Sequence, residues 1–390
     1  MPKITFTLIL LAFPVFFLLY SCSNNSNGQD NKTRIFISTD IAAGLVGGWR
    51  AGPADTDDPY AVELISTYAD AEVLGAAVVR GNDIQPAEIF AAIETFNVTP
   101  GFWNGPILSG AVEPLPTPDS VMWTGSPGPP ETLDDLCVNE GVLALANLLT
   151  ESNQKITILA IGPLTDIACL VLNFPETLKN IKEMVYLAGR APGEVLKYPF
   201  SDVIFTDFNV QQDLRAAQIV LEQSDIPVTF ITFSLSSSTL YTREQIDSLL
   251  EPECGARAKL LSRASQDRMN DLEEGLNLNG MDTFDINAAY YIAKPELFIC
   301  EEAGFEFVQC TIGTPGVYNG ADNPCAGHGP DQQSGLNTES EQLWVGPTLL
   351  GSSRSVRSCV SYINEAELER FETGTIDVFC DGGVWSELPE

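Results

Sequence analysis

Basic side chains and histidine are scarce in this chain. Its 390 residues include 20 Lys and Arg against 53 Asp and Glu, a formal net charge of −33, and a single histidine. Nucleic-acid-binding surfaces gain affinity by neutralising phosphates with basic side chains, so this balance excludes DNA and RNA as partners. An anionic membrane surface is excluded for the same reason. The hydrophobic content of 44% is nevertheless that of a globular chain that can bury a large core.

Long apolar runs are also rare, and the one that could serve as a targeting signal lies at the N-terminus. Lys3 precedes an apolar stretch at 4–20, and a small residue follows directly before Cys22. This pattern is typical of an export signal, and its end resembles the bacterial lipobox, in which the cysteine is lipidated. We expect a signal peptide at 1–21 and a lipidated, flexible tether at 22–33. The protein would lie in the periplasm or at the outer membrane, held there only by lipid; plain secretion and an uncleaved membrane span are the alternatives.

Closely spaced cysteine pairs are absent. Eight cysteines remain besides Cys22, and none forms a C-x-x-C pair, so a cysteine-bound metal is excluded. An even number in an exported protein permits disulfides, whose pairing stays open. Cys169 lies in an apolar, helix-like run and is interpreted as a buried free thiol.

From residue 34 onward, short β-rich runs alternate with amphipathic segments. The predicted strands are 35–37, 73–79, 155–161, 184–187 and 228–232, and the predicted helices are 59–68, 86–96, 164–172 and 213–223. This rhythm predicts an α/β fold, a single doubly wound domain over 34–390 with a mostly parallel sheet and a more irregular end after residue 305. Such sheets bind ligands at the carboxyl ends of their strands.

Acidic residues follow the first predicted strand and precede the first predicted helix. Asp40 comes directly after the strand, and Asp55, Asp57 and Asp58 stand at the start of the helix. One Asp is enough to cap a helix. Four acids brought together would repel one another unless a cation lay among them, and hard divalent cations such as Ca²⁺ prefer carboxylate and carbonyl oxygens.

These acids and five further motifs resemble the inosine-uridine-preferring nucleoside hydrolase family. Asp57-Asp58 is similar to the end of its D-x-D-P-G-x-D-D motif, and 161–168 to its G-P-L-T-N-[IL]-A segment, with Asp166 in place of the Asn. The other similar segments, in order, are 78–82 ending in Gly-Asn, 106–115, Asp207-Phe208-Asn209 with Asp213, and 283–290.

The resemblance implies a Ca²⁺-dependent N-ribosyl hydrolase that cleaves a small-molecule nucleoside to ribose and free base through an oxocarbenium-like transition state. Asp40 would be a metal ligand and the general base that deprotonates a bound water. The remaining implied roles are metal ligation by Asp58, Asp285 and the backbone carbonyl of Ile161, and substrate binding by Asp57, Asn82, Asp207 and Asn209.

Two departures from the family pattern matter for this reading. Asp40 and Asp57 are 17 positions apart where the family has four, an insertion of 17 − 4 = 13 residues. Either the insertion is a loop that leaves the site intact, or Asp55 takes over one role. The family's His before the late Asp, a candidate acid for the leaving base, is Phe284 here, and the lone His328 is expected on a surface loop.

Three functions therefore stay open at the level of sequence. The leading hypothesis is the nucleoside hydrolase, since binding alone does not need a general base beside a metal. The lost histidine and the insertion also suit a non-catalytic lipoprotein that binds a nucleoside or sugar on the same fold. A hydrolase of another glycoside is the third, and homo-oligomerisation is left open with any of them.

Overall fold

The centre of the molecule is built from parallel strands that are almost fully buried. The computed structural model describes residues 32–45, 54, 56–97, 105–115, 136–194, 196–197, 207–276, 278, 280–311, 339–351 and 354–389. Its strands are β1 (Thr33–Thr39), β2 (Ala71–Val78), β3 (Ile107–Ser109), β4 (Ile156–Ile161), β5 (Ile181–Leu187), β6 (Val228–Ile231), β7 (Leu240–Thr242), β8 (Gly280–Asp282), β9 (Phe298–Thr311), β10 (Glu339–Gly346) and β11 (Val356–Tyr362). Within these residues, nine strands form one sheet in the order β10-β9-β11-β6-β5-β4-β1-β2-β3, and β7 pairs with β8.

Helices cover both faces of this sheet. They are α1 (Asp57–Thr67), α2 (Gln85–Asn97), α3 (Glu140–Glu151), α4 (Thr165–Asn173), α5 (Phe208–Gln211), α6 (Leu214–Gln223), α7 (Phe233–Ser236), α8 (Arg243–Ser248), α9 (Ala256–Leu276), α10 (Phe284–Ala293) and α11 (Glu365–Asp381). Two hydrophobic clusters fill the space between the sheet and the helices, one on each side. All six residues of β4 are buried, as expected for a parallel strand covered on both faces. The α/β fold and each of the nine predicted elements are confirmed.

The strand order reverses at β1. The chain runs from β1 outward through β2 to β3, then returns to the other side of β1 with β4 and continues through β5 and β6. Thr39 at the end of β1 pairs with Val78 of β2 and with Ile161 of β4, so three strands end side by side. In open α/β sheets such a switch point creates a crevice beyond the carboxyl ends of the strands, where ligands bind.

The C-terminal region, predicted as irregular but strand-containing, completes the sheet. β11 pairs in parallel with β6, and β9 pairs antiparallel with both β11 and β10. The 17-residue helix α11 follows, with Asn364 capping its first turn. Residues Thr33–Glu390 form one compact unit.

Within the described part of the chain, three disulfides join cysteines that are distant in sequence: Cys137–Cys169, Cys254–Cys380 and Cys300–Cys359. The interpretation of Cys169 as a free thiol is therefore wrong. Cys169 is on α4, which packs against α3, and Cys137 lies just before α3, so the two Cα atoms are 4.9 Å apart. A periodic apolar run cannot reveal a partner that tertiary packing supplies.

The predicted signal and most of the tether, residues 1–31 with Cys22, lie outside the described residues. In the part of the chain that is described, no helix combines the length and hydrophobicity needed to cross a membrane.

Candidate functional site

Asp40 lies at the switch point, between the chain segments that follow β2 and β4. Its side chain is buried, and two glycines pack directly against it. A Cβ atom on Gly81 would lie 2.6 Å from the Asp40 Cγ atom, and one on Gly162 would lie 2.9 Å from its Oδ1 atom. Real Cβ atoms do not approach so closely, so only glycine leaves room for the carboxylate at these two positions. Gly81 and Gly162 therefore define where the Asp40 carboxylate sits.

Three further carboxylates meet beside this point. Asp57 and Asp58 occupy the first turn of α1, and Asp285 occupies the first turn of α10. One oxygen from each lies within 4.8 Å of the other two, and all three side chains are buried. The backbone N–H of Asp285 donates to Asp57 Oδ2 at 2.9 Å, and the Thr39 hydroxyl donates to Asp58 Oδ1.

The chemistry of these donors fits a hard divalent cation. The positive ends of two helix dipoles help to hold the negative charges, but three buried carboxylates within one ion's reach still repel strongly. Carboxylate oxygens are the ligands that Ca²⁺ and Mg²⁺ prefer. The structure therefore contains an Asp group that could hold a metal ion, with Asp40 one residue beyond the Thr39 that contacts it.

The two ends of the insertion after Asp40 lie close together, at Leu45 and Ala54. The N–H of Ala54 donates to the carbonyl of Leu45 at 3.0 Å, after a turn in which Ala43 and Gly44 have φ angles of 47° and 72°. The two ends of the insertion are thus tied together. This arrangement agrees with the first alternative, a loop that leaves the carboxylate site intact; Asp55, on which the second depends, lies outside the described residues.

Asn82 and Ile161 occupy the loop after β2 and the end of β4, and both are buried beside Asp40's neighbours Gly81 and Gly162. Their implied roles in substrate and metal binding are compatible with these positions. The roles themselves stay predictions.

Asp207 and Asn209 have structural partners that the sequence did not reveal. Asp207 caps α5: its Oδ1 accepts the Val210 N–H at 3.1 Å, and its Oδ2 accepts the Gly189 N–H at 2.7 Å. Burial raises the pKa of Asp207 to about 6, although these bonds and nearby Arg190 oppose the shift. Asn209 donates from Nδ2 to the Leu187 carbonyl at 3.0 Å. Both residues are therefore fixed at the end of β5, and their implied contacts with substrate remain predictions.

Phe284 lies one residue before Asp285 and packs against an aromatic neighbour. Its ring meets that of Phe233 edge-on, with centroids 5.4 Å apart and an interplanar angle of 76°. A phenyl ring can neither donate nor accept a proton. His328 lies outside the described residues.

Glu88 is a buried carboxylic acid near the site that sequence reasoning missed. It is on α2, fully buried, and its Oε1 accepts the N–H groups of Gly81 at 3.2 Å and Asp83 at 2.6 Å. Burial raises its pKa well above the usual value, with a further contribution from the negative charge of Asp40. A single Glu on an apolar helix has no sequence signal that would have identified it.

Asp166 stands where the family motif has an Asn, and its burial predicts that the unfolding free energy depends on pH. Its Oδ1 accepts the N–H of Ala111 at 2.9 Å and Nδ2 of Asn139 at 2.8 Å, and burial raises its pKa from 3.8 to about 6. For a carboxyl with a raised pKa, the stabilisation is fully present below pH 3.8 and is lost as the pH rises through about 6. A shift of this size corresponds to about 3 kcal/mol of unfolding free energy.

We therefore expect Asp166→Asn to stabilise the protein relative to wild type by up to about 3 kcal/mol more at pH 7.5 than at pH 4, because the amide keeps the acceptor and cannot ionise. Urea unfolding at both pH values measures this difference. The exposed Asp70→Asn is the matched control, for which we expect no such difference. Equal effects of Asp166→Asn at the two pH values would contradict the prediction.

Comparison with known proteins agrees with this geometry. The family model described as inosine-uridine preferring nucleoside hydrolase matches residues 52–372. The chain belongs to this nucleoside hydrolase family. The match begins after Asp40, near the end of the insertion, so it includes Asp57, Asp58 and Asp285 but not Asp40.

Curated relatives and solved structures extend the comparison. A non-specific ribonucleoside hydrolase of Salmonella newport (strain SL254) is 27% identical over 207 residues, which are 50% of this chain and 63% of that relative. The chain thus spans less than two thirds of that nucleoside hydrolase. A plant nucleoside hydrolase superposes with a TM-score of 0.61 at 14% identity, covering 88% of this chain and 98% of that one. A purine-preferring ribonucleoside hydrolase from Gardnerella vaginalis gives 0.59 at 16% identity, covering 90% and 99%.

Proposed function

We propose that the protein is a Ca²⁺-dependent N-ribosyl hydrolase that cleaves nucleosides to ribose and free base. The observation that carries the proposal is a buried Asp40 at the switch point next to the group formed by Asp57, Asp58 and Asp285. A binding protein needs no such carboxylate beside the cation ligands. Membership of the nucleoside hydrolase family supports the same reaction.

In this proposal Asp40, Asp58, Asp285 and the backbone carbonyl of Ile161 would hold the ion, which when bound would supply acidification of a water molecule. Gly81 and Gly162 hold the Asp40 carboxylate in place. This carboxylate accepts the proton of the attacking water. The anionic carboxylates also stabilise the positive charge that develops on the sugar ring in an oxocarbenium-like transition state.

The side chains of Asp57, Asn82 and Asn209 bind ribose hydroxyls, and Asp207 lies toward the 5′-hydroxyl. Buried groups that are already held by hydrogen bonds need no reorganisation when substrate arrives. For Asn209 and Asp207 these bonds go to the backbone at the end of β5.

The test is release of reducing sugar by the purified protein from a panel of nucleosides and from p-nitrophenyl riboside, with Ca²⁺ or a chelator. Ca²⁺-dependent release from any of these substrates is the expected result. No release from any substrate, with nucleoside or ribose still binding by calorimetry, would refute the hydrolase and support the binding lipoprotein. Other p-nitrophenyl glycosides in the same panel test the third hypothesis, which release from those alone would support.

Phe284 predicts a preference for substrates with good leaving groups. A general acid contributes about 10²- to 10⁴-fold when the leaving group needs a proton. We expect Phe284→His to raise kcat for inosine by at least 10-fold and to leave kcat for p-nitrophenyl riboside within 2-fold, because p-nitrophenolate leaves without protonation. Steady-state kinetics on both substrates measure the effect, and Phe284→Leu controls for loss of the ring. An equal change on both substrates would contradict the assignment.

We also propose that the protein is exported and anchored by lipid on Cys22. The three disulfides support an oxidising compartment, since such bonds are rare in a reducing cytosol. Metabolic labelling with a fatty acid analogue tests the anchor, because Cys22→Ser should abolish incorporation. Secretion without incorporation into the wild type would favour the plain signal peptide.

A further inference from the structure

The turn formed by Gly81, Asn82 and Asp83 is held by hydrogen bonds to the side chain of Glu88. Glu88 enters from α2 and accepts the N–H groups of Gly81 and Asp83 through the same oxygen, Oε1. These two residues flank Asn82. Both amides of the turn therefore depend on Glu88, and Asn82 lies between them.

The same turn touches the proposed base. Gly81 packs against the Asp40 carboxylate so closely that any side chain at position 81 would overlap it. A shift of the Gly81 backbone by a few tenths of an ångström would change the space available to Asp40. Glu88 is thus connected to Asp40 by two contacts, a hydrogen bond to Gly81 and the packing of Gly81 on the carboxylate.

A buried carboxyl group at position 88 lowers the stability of the fold. Glu88 is fully buried, on the same inner side of α2 as Ala91 and Ala92, and it adds a further acid to a region that holds Asp40 and Asp58. Among the described residues, its second oxygen, Oε2, has no hydrogen-bond partner. Burying a carboxyl costs stability that an apolar side chain would not, so its contribution must lie in what Oε1 holds.

We propose that Glu88 is a positioning residue that sets the place of Asn82 and Asp40 and thereby the affinity of the site for cation and ribose. The proposal rests on the function proposed above for the same site. In this proposal Glu88 acts through the backbone of Gly81 and Asp83.

The test compares Glu88→Ala with Glu88→Gln in the full chain. Glutamine keeps an acceptor at Oε1, whereas alanine leaves both amides without a partner. For Glu88→Ala we expect hydrogen exchange at the Gly81 and Asp83 amides to accelerate at least 10-fold and the Kd for Ca²⁺, measured by calorimetry, to rise at least 5-fold. In the separate variant Glu88→Gln, the exchange rates and the Kd for Ca²⁺ should both stay within 2-fold of wild type.

The matched control is Asp213→Asn. Asp213 is also a buried carboxyl that accepts two backbone N–H groups, those of Leu115 and Ala216, and it accepts a further bond from the Thr165 hydroxyl. Its substitution should leave the Kd for Ca²⁺ unchanged. If Glu88→Ala fails to fold, Glu88→Asp replaces it, because the shorter side chain cannot reach both amides.

A rise of less than 5-fold in the Kd of folded Glu88→Ala, or unchanged exchange at the two amides, would overturn the proposal. Neither readout requires turnover. A wild-type protein that binds Ca²⁺ but releases no sugar would therefore refute only the hydrolase function. An active protein whose Kd for Ca²⁺ does not change on Glu88→Ala would refute only this inference.

Discussion

Replacing Asp40 by asparagine is expected to lower kcat by about 10³-fold, even with p-nitrophenyl riboside as substrate. A general base contributes about 10²- to 10⁴-fold, and an amide of the same size cannot accept the proton. Asp40 is buried and packs between Gly81 and Gly162. Steady-state kinetics at saturating Ca²⁺ measure the loss and separate it from weaker metal binding.

The matched control for this experiment is Asp166→Asn. It makes the same chemical change at another buried carboxyl near the ends of the central strands, where Asp166 contacts Ala111 and Asn139. We expect its kcat to stay within 5-fold of wild type. A kcat for Asp40→Asn above one tenth of the wild-type value would exclude Asp40 as the general base.

Removing the cation is expected to abolish hydrolysis and to lower stability together. Asp57, Asp58 and Asp285 hold three oxygens within 4.8 Å of one another. Because only the folded chain brings these oxygens together, we expect a cation to bind the folded state in preference to the unfolded one. A ligand at 100 times its Kd stabilises the folded state by about 2.7 kcal/mol. We therefore expect Ca²⁺ at that concentration to raise the unfolding free energy by this amount over the chelated protein.

Urea unfolding with Ca²⁺, with Mg²⁺ and with a chelator measures the shift and identifies the preferred ion. Ca²⁺ accepts a flexible set of six to eight oxygens, whereas Mg²⁺ demands a tighter octahedron. Asp58→Asn should remove most of the shift, and the exposed Asp70→Asn should leave it unchanged. No stabilisation by any divalent cation would refute the metal site.

The fold could be predicted because burial leaves a direct record in the sequence. β4 is apolar except for Thr157 and is buried throughout, and helices such as α6 show an apolar stripe on one face. The strand ends follow from these elements, and with them the positions of Asp40 and Ile161. The longest helix, α9, was not predicted, because polar residues interrupt its apolar positions.

The candidate site could be predicted only where a motif marked it. The acids at 57, 58 and 285 belong to such motifs, and the structure brings them together. Glu88 and the partner of Cys169 depend on contacts between segments that only the folded chain brings together. The same holds for Asp207, whose Oδ2 accepts the N–H of Gly189 from the segment after β5.

The hydrogen bond between Ala54 and Leu45 has a consequence for how this chain can vary in length. It closes the inserted segment at its base, so residues added or removed beyond that point need not move Asp40 relative to Asp57. The entropy of closing a loop grows only slowly, by about 0.6 kcal/mol for each doubling of its length. The interval between the two acids is therefore open to evolutionary change and to engineering, and a shortened loop or an inserted peptide could be accommodated there while the carboxylates keep their places.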